Sequence, residues 1–170
     1  MDGNSENRKG TASVFQGPPP DIRECEEIDG EATEVANWLK HRAAEGFMPR
    51  EICVITRSIH ELQRAENAIV MAGLEPERLS DRLELPAGKV AVATMHLVKG
   101  LEFRAVVVMA CDDEVIPLQS RIETVADDSD LEDVYNTERH LLYVACTRAR
   151  DRLLVTGVDP VSEFLSDLLQ

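Results

Sequence analysis

Two clusters of side chains in this sequence have the types and spacing to handle phosphate. The first is Thr94-Met95-His96-Leu97-Val98-Lys99-Gly100-Leu101-Glu102-Phe103, which follows the β-branched run beginning at Lys89. A lysine beside a glycine after a strand can come close to a phosphate, because glycine leaves the backbone N–H groups uncovered. A surface turn carrying a solvated lysine is the competing reading. The second cluster closes a long helical pattern with Thr147, Arg148 and Arg150. Cations suit a helix C-terminus through the macrodipole. An arginine there can also be offered in trans to a nucleotide held elsewhere, where it stabilises charge developing during phosphoryl transfer. On residue types alone both readings stand.

Two further segments imitate nucleotide sites without completing them. Ala87-Gly88-Lys89-Val90 looks like the end of a phosphate loop, but no glycine lies five residues before Gly88 and no Ser or Thr follows Lys89, so the nest and the magnesium hydroxyl are lacking. The apolar run ending at Asp112 and Asp113 looks like a strand with magnesium-binding carboxylates; without a phosphate loop it reads as an acidic turn at a strand end. Cys25, Cys53, Cys111 and Cys146 form no CxxC pair, and His41, His60, His96 and His140 are equally scattered. No metal site is expected, and the cysteines read as buried reduced thiols.

Alternating strand and helix patterns must position these residues. Strands are expected over 22–28, 51–57, 89–96, 105–111 and 152–158, and helices over 31–46, 60–73, 130–149 and 161–169. Val35, Trp38, Leu39 and Arg42 share one face of the first helix, Ser58 can cap the second, and Gly46 and Gly73 are C-terminal stops. The pattern implies a three-layer α/β domain around a mostly parallel sheet. Residues 1–20, rich in Gly, Ser, Asn and Pro, read as a linker or the tail of an upstream segment. In open parallel sheets ligands bind at the carboxyl ends of strands. That rule selects Thr94 and His96, with Lys99, Gly100 and Glu102 in the loop that follows.

The chain has 170 residues, with 18 Lys plus Arg against 32 Asp plus Glu, a net charge of −14. An acidic domain repels phosphate, which argues against wholesale coating of nucleic acid. The charge is uneven, however. Residues 112–133 hold nine acids and one base, whereas 139–152 hold four arginines and one acid. Aromatic residues make up 4%, too few for a protein that reads single strands mainly by stacking. No apolar run reaches membrane-spanning length and no secretory signal is visible, so a cytoplasmic location is expected.

Thr94 to Phe103 resembles motif V of UvrD/Rep/PcrA-type superfamily 1 helicases, of the form T-x-H-x-x-K-G-L-E-F. Glu138-Arg139-His140-Leu141-Leu142-Tyr143-Val144-Ala145-Cys146-Thr147-Arg148-Ala149 resembles their motif VI, E-R-x-L-x-Y-V-A-x-T-R-A. The two occur in family order. Ile55 to Glu66 is loosely similar to the family's L-Y-R-x-N-x-Q-S-R segment, with Thr56 in place of the usual aromatic and Gln63-Arg64 out of register by one. The resemblance covers about residues 50–158.

The resemblance implies a RecA-like fold, the second of two motor domains that hydrolyse ATP with Mg in the cleft between them and step along single-stranded DNA. It implies that Arg148 is an arginine finger reaching the γ-phosphate, that Glu102 faces the nucleotide, and that Lys99 and Gly100 shape the nucleotide-facing loop. Thr94 and His96 would contact the DNA backbone or couple it to the cleft, and Tyr143 and Thr147 would orient the motif VI helix; Arg139, on another face, is expected to be structural. The phosphate loop, the magnesium carboxylates and the water-positioning Gln of the first motor domain are not in this sequence, nor is the arginine of the family's Q-x-Y-R-S motif, which normally lies just upstream. Residues 21–170 are therefore expected to be the second motor domain of a longer helicase, inactive alone, with 1–20 as its former linker. The partners implied are single-stranded DNA and the first RecA-like domain. A stand-alone degenerate module that binds a protein partner through the acidic 112–133 stretch is the alternative.

Overall fold

The structure, a computed structural model, describes residues 17–81 and 84–168; residues 1–16, most of the expected linker, lie outside the described residues. The elements in order are β1 (Asp21–Cys25), α1 (Ile28–Ala44), β2 (Ile52–Thr56), α2 (Leu62–Met71), β3 (Glu75–Arg78), β4 (Lys89–Thr94), β5 (Phe103–Val108), α3 (Gln119–Ile122), α4 (Asp128–Cys146), β6 (Ala149–Val158) and α5 (Glu163–Leu168). The six strands form one sheet in the order β1-β6-β5-β2-β4-β3. All five strand pairings are parallel, in accord with the three-layer α/β expectation.

Alternation along the strands sorts their side chains to two faces. Val54, Val90, Val92, Val107 and Leu154 pack with Val35, Leu39, Ala65 and Ile69 of α1 and α2. Cys53, Ile55, Ala91, Ala93, Val106, Val108 and Val155 pack on the other face with Leu142 and Ala145 of α4 and Phe164 and Leu165 of α5. Every residue of β2 is buried, as its unbroken apolar run requires of a central parallel strand.

Local chemistry sets the boundaries. Gly46 and Gly73 take left-handed φ values of 92° and 79° just past α1 and α2, as helix-terminating glycines do. Ser58 accepts a hydrogen bond from the His60 N–H at 3.2 Å, and Glu61 accepts one from the Ser58 N–H at 3.1 Å. This capping box starts a 3₁₀ turn over Ile59–Glu61 before α2 begins. Asp127 caps α4 through the Asp130 N–H at 2.9 Å.

Several expected boundaries are corrected. α4 ends at Cys146, so Arg148 lies in the junction between helix and strand and Arg150 lies within β6. β5 runs from Phe103 to Val108 and not to 111, because Ala110 turns the chain at φ 59°. β4 ends at Thr94, which leaves His96 in the following turn. β3, with sequence Glu-Pro-Glu-Arg, carries no apolar signal; it pairs only with β4 at the sheet edge, where a proline costs no ladder bond.

Gly157 marks the tightest crossing. A Cβ there would lie 2.6 Å from the Cys111 carbonyl oxygen and 2.9 Å from its carbon. Gly157→Ala is expected to lower stability by about 1–3 kcal/mol through overpacking. Gly30→Ala, in α1 with nothing within 4 Å, should raise it by up to about 1 kcal/mol. Urea unfolding of the two variants checks the contrast, and a Gly157→Ala midpoint equal to wild type would contradict it.

Candidate functional site

Because β4 and β5 run in the same direction, the segment between them must cross from the carboxyl edge of the sheet back to the amino edge. No helix makes this return; residues 95–102 do, in eight residues, enough to span about 26 Å when extended. The expectation that the carboxyl edge would gather all the motif V residues is therefore corrected. Thr94 and His96 sit at the carboxyl edge, Lys99 and Gly100 on the crossing, and Glu102 next to Phe103 at the amino edge. Met95 and Val98 are buried and anchor the crossing to the sheet. Lys99, Gly100 and Glu102 are exposed, and Gly100 takes φ 82°, a conformation that side chains beyond glycine resist.

Arg148 joins Glu102 at the amino edge. The Phe103 N–H donates to the Arg148 carbonyl at 2.9 Å, which sets the start of β5 beside the start of β6. The Arg148 guanidinium is held by its surroundings: Nε donates to the Val144 carbonyl at 3.1 Å, Nη1 to the Leu101 carbonyl at 3.2 Å and Nη2 to Thr147 Oγ1 at 3.2 Å. Of the five N–H donors of a guanidinium, three are thus engaged and two have no partner among the described residues. Thr147 Oγ1 in turn donates to the Val144 carbonyl at 2.8 Å, and the Thr147 N–H to the Tyr143 carbonyl at 3.0 Å. The Tyr143 side chain is exposed and lines a groove with Ile22, Thr147, Leu153 and Val155.

At the opposite edge, Thr94 and His96 line a shallow depression of about 270 Å³ with Ile59, Leu62, Leu79 and Leu97. Thr94 is half-buried and His96 exposed. Thr56, the register partner of Thr94 on β2, holds the start of the crossing: its carbonyl accepts the Met95 N–H at 2.9 Å.

Two buried carboxylates fasten the carboxyl edge, and sequence reasoning assigned a role to neither. Glu138, in the middle of α4 and fully buried, accepts hydrogen bonds from Arg57 Nε and Nη2 at 2.7 and 2.6 Å. It also accepts one from the Leu118 N–H at 3.1 Å and one from Arg121 Nη1 at 2.9 Å. Burial pushes the Glu138 carboxyl up, but the hydrogen bonds and charge of Arg57, with Leu118 and Arg121, outweigh it and leave the group below the usual carboxylate range. Glu31 of α1 is equally buried and bonds Arg64, the Ala110 N–H at 2.9 Å and Thr156 Oγ1 at 2.7 Å. Arg64 continues to Asp112 at 2.6 Å, and Asp112 accepts the Val158 N–H at 2.7 Å. Asp112 is thereby committed to the strand-end turn. An acid on the inner face of a helix was the available signal, but it points to a partner only once the fold is known.

Arg139 lies against α5, 3.4 Å from Asp167 and 4.8 Å above the Phe164 ring, a packing role on the face away from Arg148. All four cysteines are free. Burial pushes the Cys146 thiol up to about 12 and raises Cys25, Cys53 and Cys111 as well, which suppresses thiolate chemistry. Among the described residues no group of three or more His, Cys, Asp or Glu side chains could hold a metal ion. No described helix is long and apolar enough to cross a membrane.

Comparison with known proteins places these features. A family model described as the UvrD-like helicase C-terminal domain matches residues 66–159. The chain is 37% identical over 104 residues to ATP-dependent DNA helicase UvrD1 of Mycobacterium leprae, an overlap of 53% of this chain and 12% of that protein. It is 36% identical over 124 residues to ATP-dependent DNA helicase Rep of Buchnera aphidicola, an overlap of 72% of this chain and 16% of that protein. The chain thus spans under a fifth of the length of these relatives. The crystal structure of the C-terminal domain of a possible DNA helicase from a Lactobacillus, strain WCFS1, superposes with a TM-score of 0.67 at 23% identity, covering 92% of this chain and 86% of that one.

The depressed Glu138 carboxyl links stability to pH. Its contribution is fully present above the unfolded carboxylate value of about 4.3 and is lost as pH falls through the lower folded value. Glu138→Gln should cost about 3 kcal/mol at pH 7, since it strands a buried arginine. That deficit should shrink at pH 3. Denaturant unfolding at the two pH values measures it, and a deficit of equal size at both would disprove the linkage.

Proposed function

The chain belongs to the family of UvrD-like helicase C-terminal domains, and on that premise we propose that residues 21–170 are the second motor domain of an ATP-driven DNA helicase, joined through residues 1–20 to the domain that holds the phosphate loop. The observation that carries this reading is the Arg148 guanidinium, tied by three hydrogen bonds at the amino edge of the sheet with two donors left over. A preorganised cation of this kind stabilises the charge that develops on a transferring phosphoryl group. ATP with Mg would be held mainly by the partner domain. From this chain, Arg148 would meet the γ-phosphate, Glu102 would meet the nucleotide beside it, and Lys99 and Gly100 would shape the approach. Thr147 braces Arg148 directly through its hydroxyl.

Single-stranded DNA would lie across the opposite edge, against Thr94 and His96. The net charge of −14 opposes broad phosphate binding, so the contact would be confined to this edge. The complete set Lys99, Glu102, Thr147 and Arg148 in one chain favours the motor over a degenerate protein-binding module, which would have no use for them.

Two outcomes test the reading. The purified chain should show no ATP turnover, and in the full-length protein Arg148→Ala should lower kcat by about 10³–10⁵ with little change in DNA affinity. Turnover by the chain alone that Arg148→Ala abolishes, or an unaltered kcat in the full-length variant, would refute the assignment. Binding of a dT oligonucleotide should weaken on His96→Ala and fall steeply between about 50 and 200 mM salt; fluorescence anisotropy reads both.

A further inference from the structure

We propose that Arg57 and Glu138 are positioning residues for Arg148: their buried ion pair closes a frame across the sheet that sets where the Arg148 guanidinium is held. The proposal rests on the reading of Arg148 as the nucleotide-facing residue, and it concerns side chains at the far edge of the domain.

The frame has two members, each fastened at both edges. One is the crossing segment 95–102. At the carboxyl edge the Met95 N–H donates to the Thr56 carbonyl at 2.9 Å; at the amino edge the Leu101 carbonyl accepts Arg148 Nη1 at 3.2 Å. The other member is α4. At the carboxyl edge Glu138 is gripped by Arg57; past its other end the Arg148 carbonyl accepts the Phe103 N–H at 2.9 Å. Thr56 and Arg57 are consecutive residues at the end of β2, so a single point holds both members at the carboxyl edge, and Arg148 joins them at the other.

The anchoring of α4 explains why a charge pair does this. Of its 19 residues only Glu138, Leu142 and Ala145 are buried. Leu142 and Ala145 supply non-directional contact, which tolerates rotation or sliding of the helix. The Arg57–Glu138 contact is a two-bond fork between planar groups, and its geometry admits one orientation. From Glu138 to the end of α4 at Cys146 is eight residues, about 12 Å of helix at 1.5 Å per residue, and the turn that follows stays tied to it, the Thr147 N–H donating to the Tyr143 carbonyl at 3.0 Å and the Arg148 N–H to the Ala145 carbonyl at 3.2 Å. Arg121, half-exposed, donates a further bond to the same carboxylate, which holds Glu138 from the side of α3. Thr56 also pairs in register with Thr94, so a strand of DNA pressing on Thr94 and His96 would push directly on the fastening point.

The experiment uses the isotopically labelled chain and reads solvent exchange of the Arg148 Nε–H, the proton donated to the Val144 carbonyl. Arg57→Lys keeps the charge and loses the fork. It should raise Arg148 Nε–H exchange by about tenfold while backbone amide protection in β2, β4 and β5 stays as in wild type. Arg121→Ala removes one bond to Glu138 and should raise the exchange by about threefold. Asp151→Ala, which removes the acceptor of the 2.7 Å bond from Arg104 Nε near the amino edge, should leave it unchanged. Exchange at Arg148 within twofold of wild type in a folded Arg57→Lys protein would overturn the proposal. If Arg57→Lys does not fold, an unchanged Arg121→Ala would overturn it equally. A dT oligonucleotide that fails to bind would count against the DNA reading of Thr94 and His96 alone, because the exchange comparison needs no DNA.

Discussion

In a sheet whose strands all point the same way, the chain must return to its starting edge after every strand, and this requirement organises the domain. The two returns that carry the candidate site cover the same face of the sheet. One is the eight-residue crossing that holds Lys99, Gly100 and Glu102, and the other is α4, which delivers Arg148. Residues contiguous in sequence are thereby split between edges, with Thr94 and His96 on one and Glu102 on the other. Residues 47 positions apart, Leu101 and Arg148, are brought to a 3.2 Å contact. A domain built this way offers two separate surfaces, one at each edge of the sheet.

The second constraint is buried charge. Glu31 and Glu138 are both fully buried, and an unpaired carboxylate in such a place would cost several kcal/mol. Each is satisfied by an arginine and by a backbone N–H at the carboxyl edge of the domain, from the turn after β5 for Glu31 and from the residue that caps α3 for Glu138. The Ala110 N–H goes to Glu31, the Leu118 N–H to Glu138 and the Val158 N–H to Asp112. The acids thus answer a second need, since strands that stop at an edge must dispose of their last donors. The carboxyl edge is held by directional polar bonds, while the two faces are held by aliphatic packing.

Charge at the surface follows a different logic. The acids that give the chain its −14 concentrate in 112–133 and in exposed helix positions, away from the Lys99–Glu102 and Arg148 region. A domain of this sign repels nucleic acid generally. Local contact with an anion is favoured where a cation is fixed in position. Arg148 meets that condition through its three hydrogen bonds, and it depends on neither the net charge nor a basic surface.

Much of this was legible in the sequence. The unbroken apolar run of β2, the glycine stops after α1 and α2 and the serine cap at Ser58 are local signals, and local chemistry decides them. Motifs V and VI were readable as strings because their residue types are constrained position by position, so the family and its fold class followed without coordinates. β3 was not readable, because a four-residue edge strand containing proline is decided by its neighbour β4 and by nothing of its own. The placement of Glu102 and Arg148 opposite Thr94 and His96 was not readable either. It depends on β4 and β5 being parallel partners of the same strand β2, a fact about pairing between distant segments. The partners of Glu31 and Glu138 belong to the same class. Their charges were visible in the chain, but the arginines that neutralise them lie 33 and 81 residues away, and only the closed sheet brings them within reach.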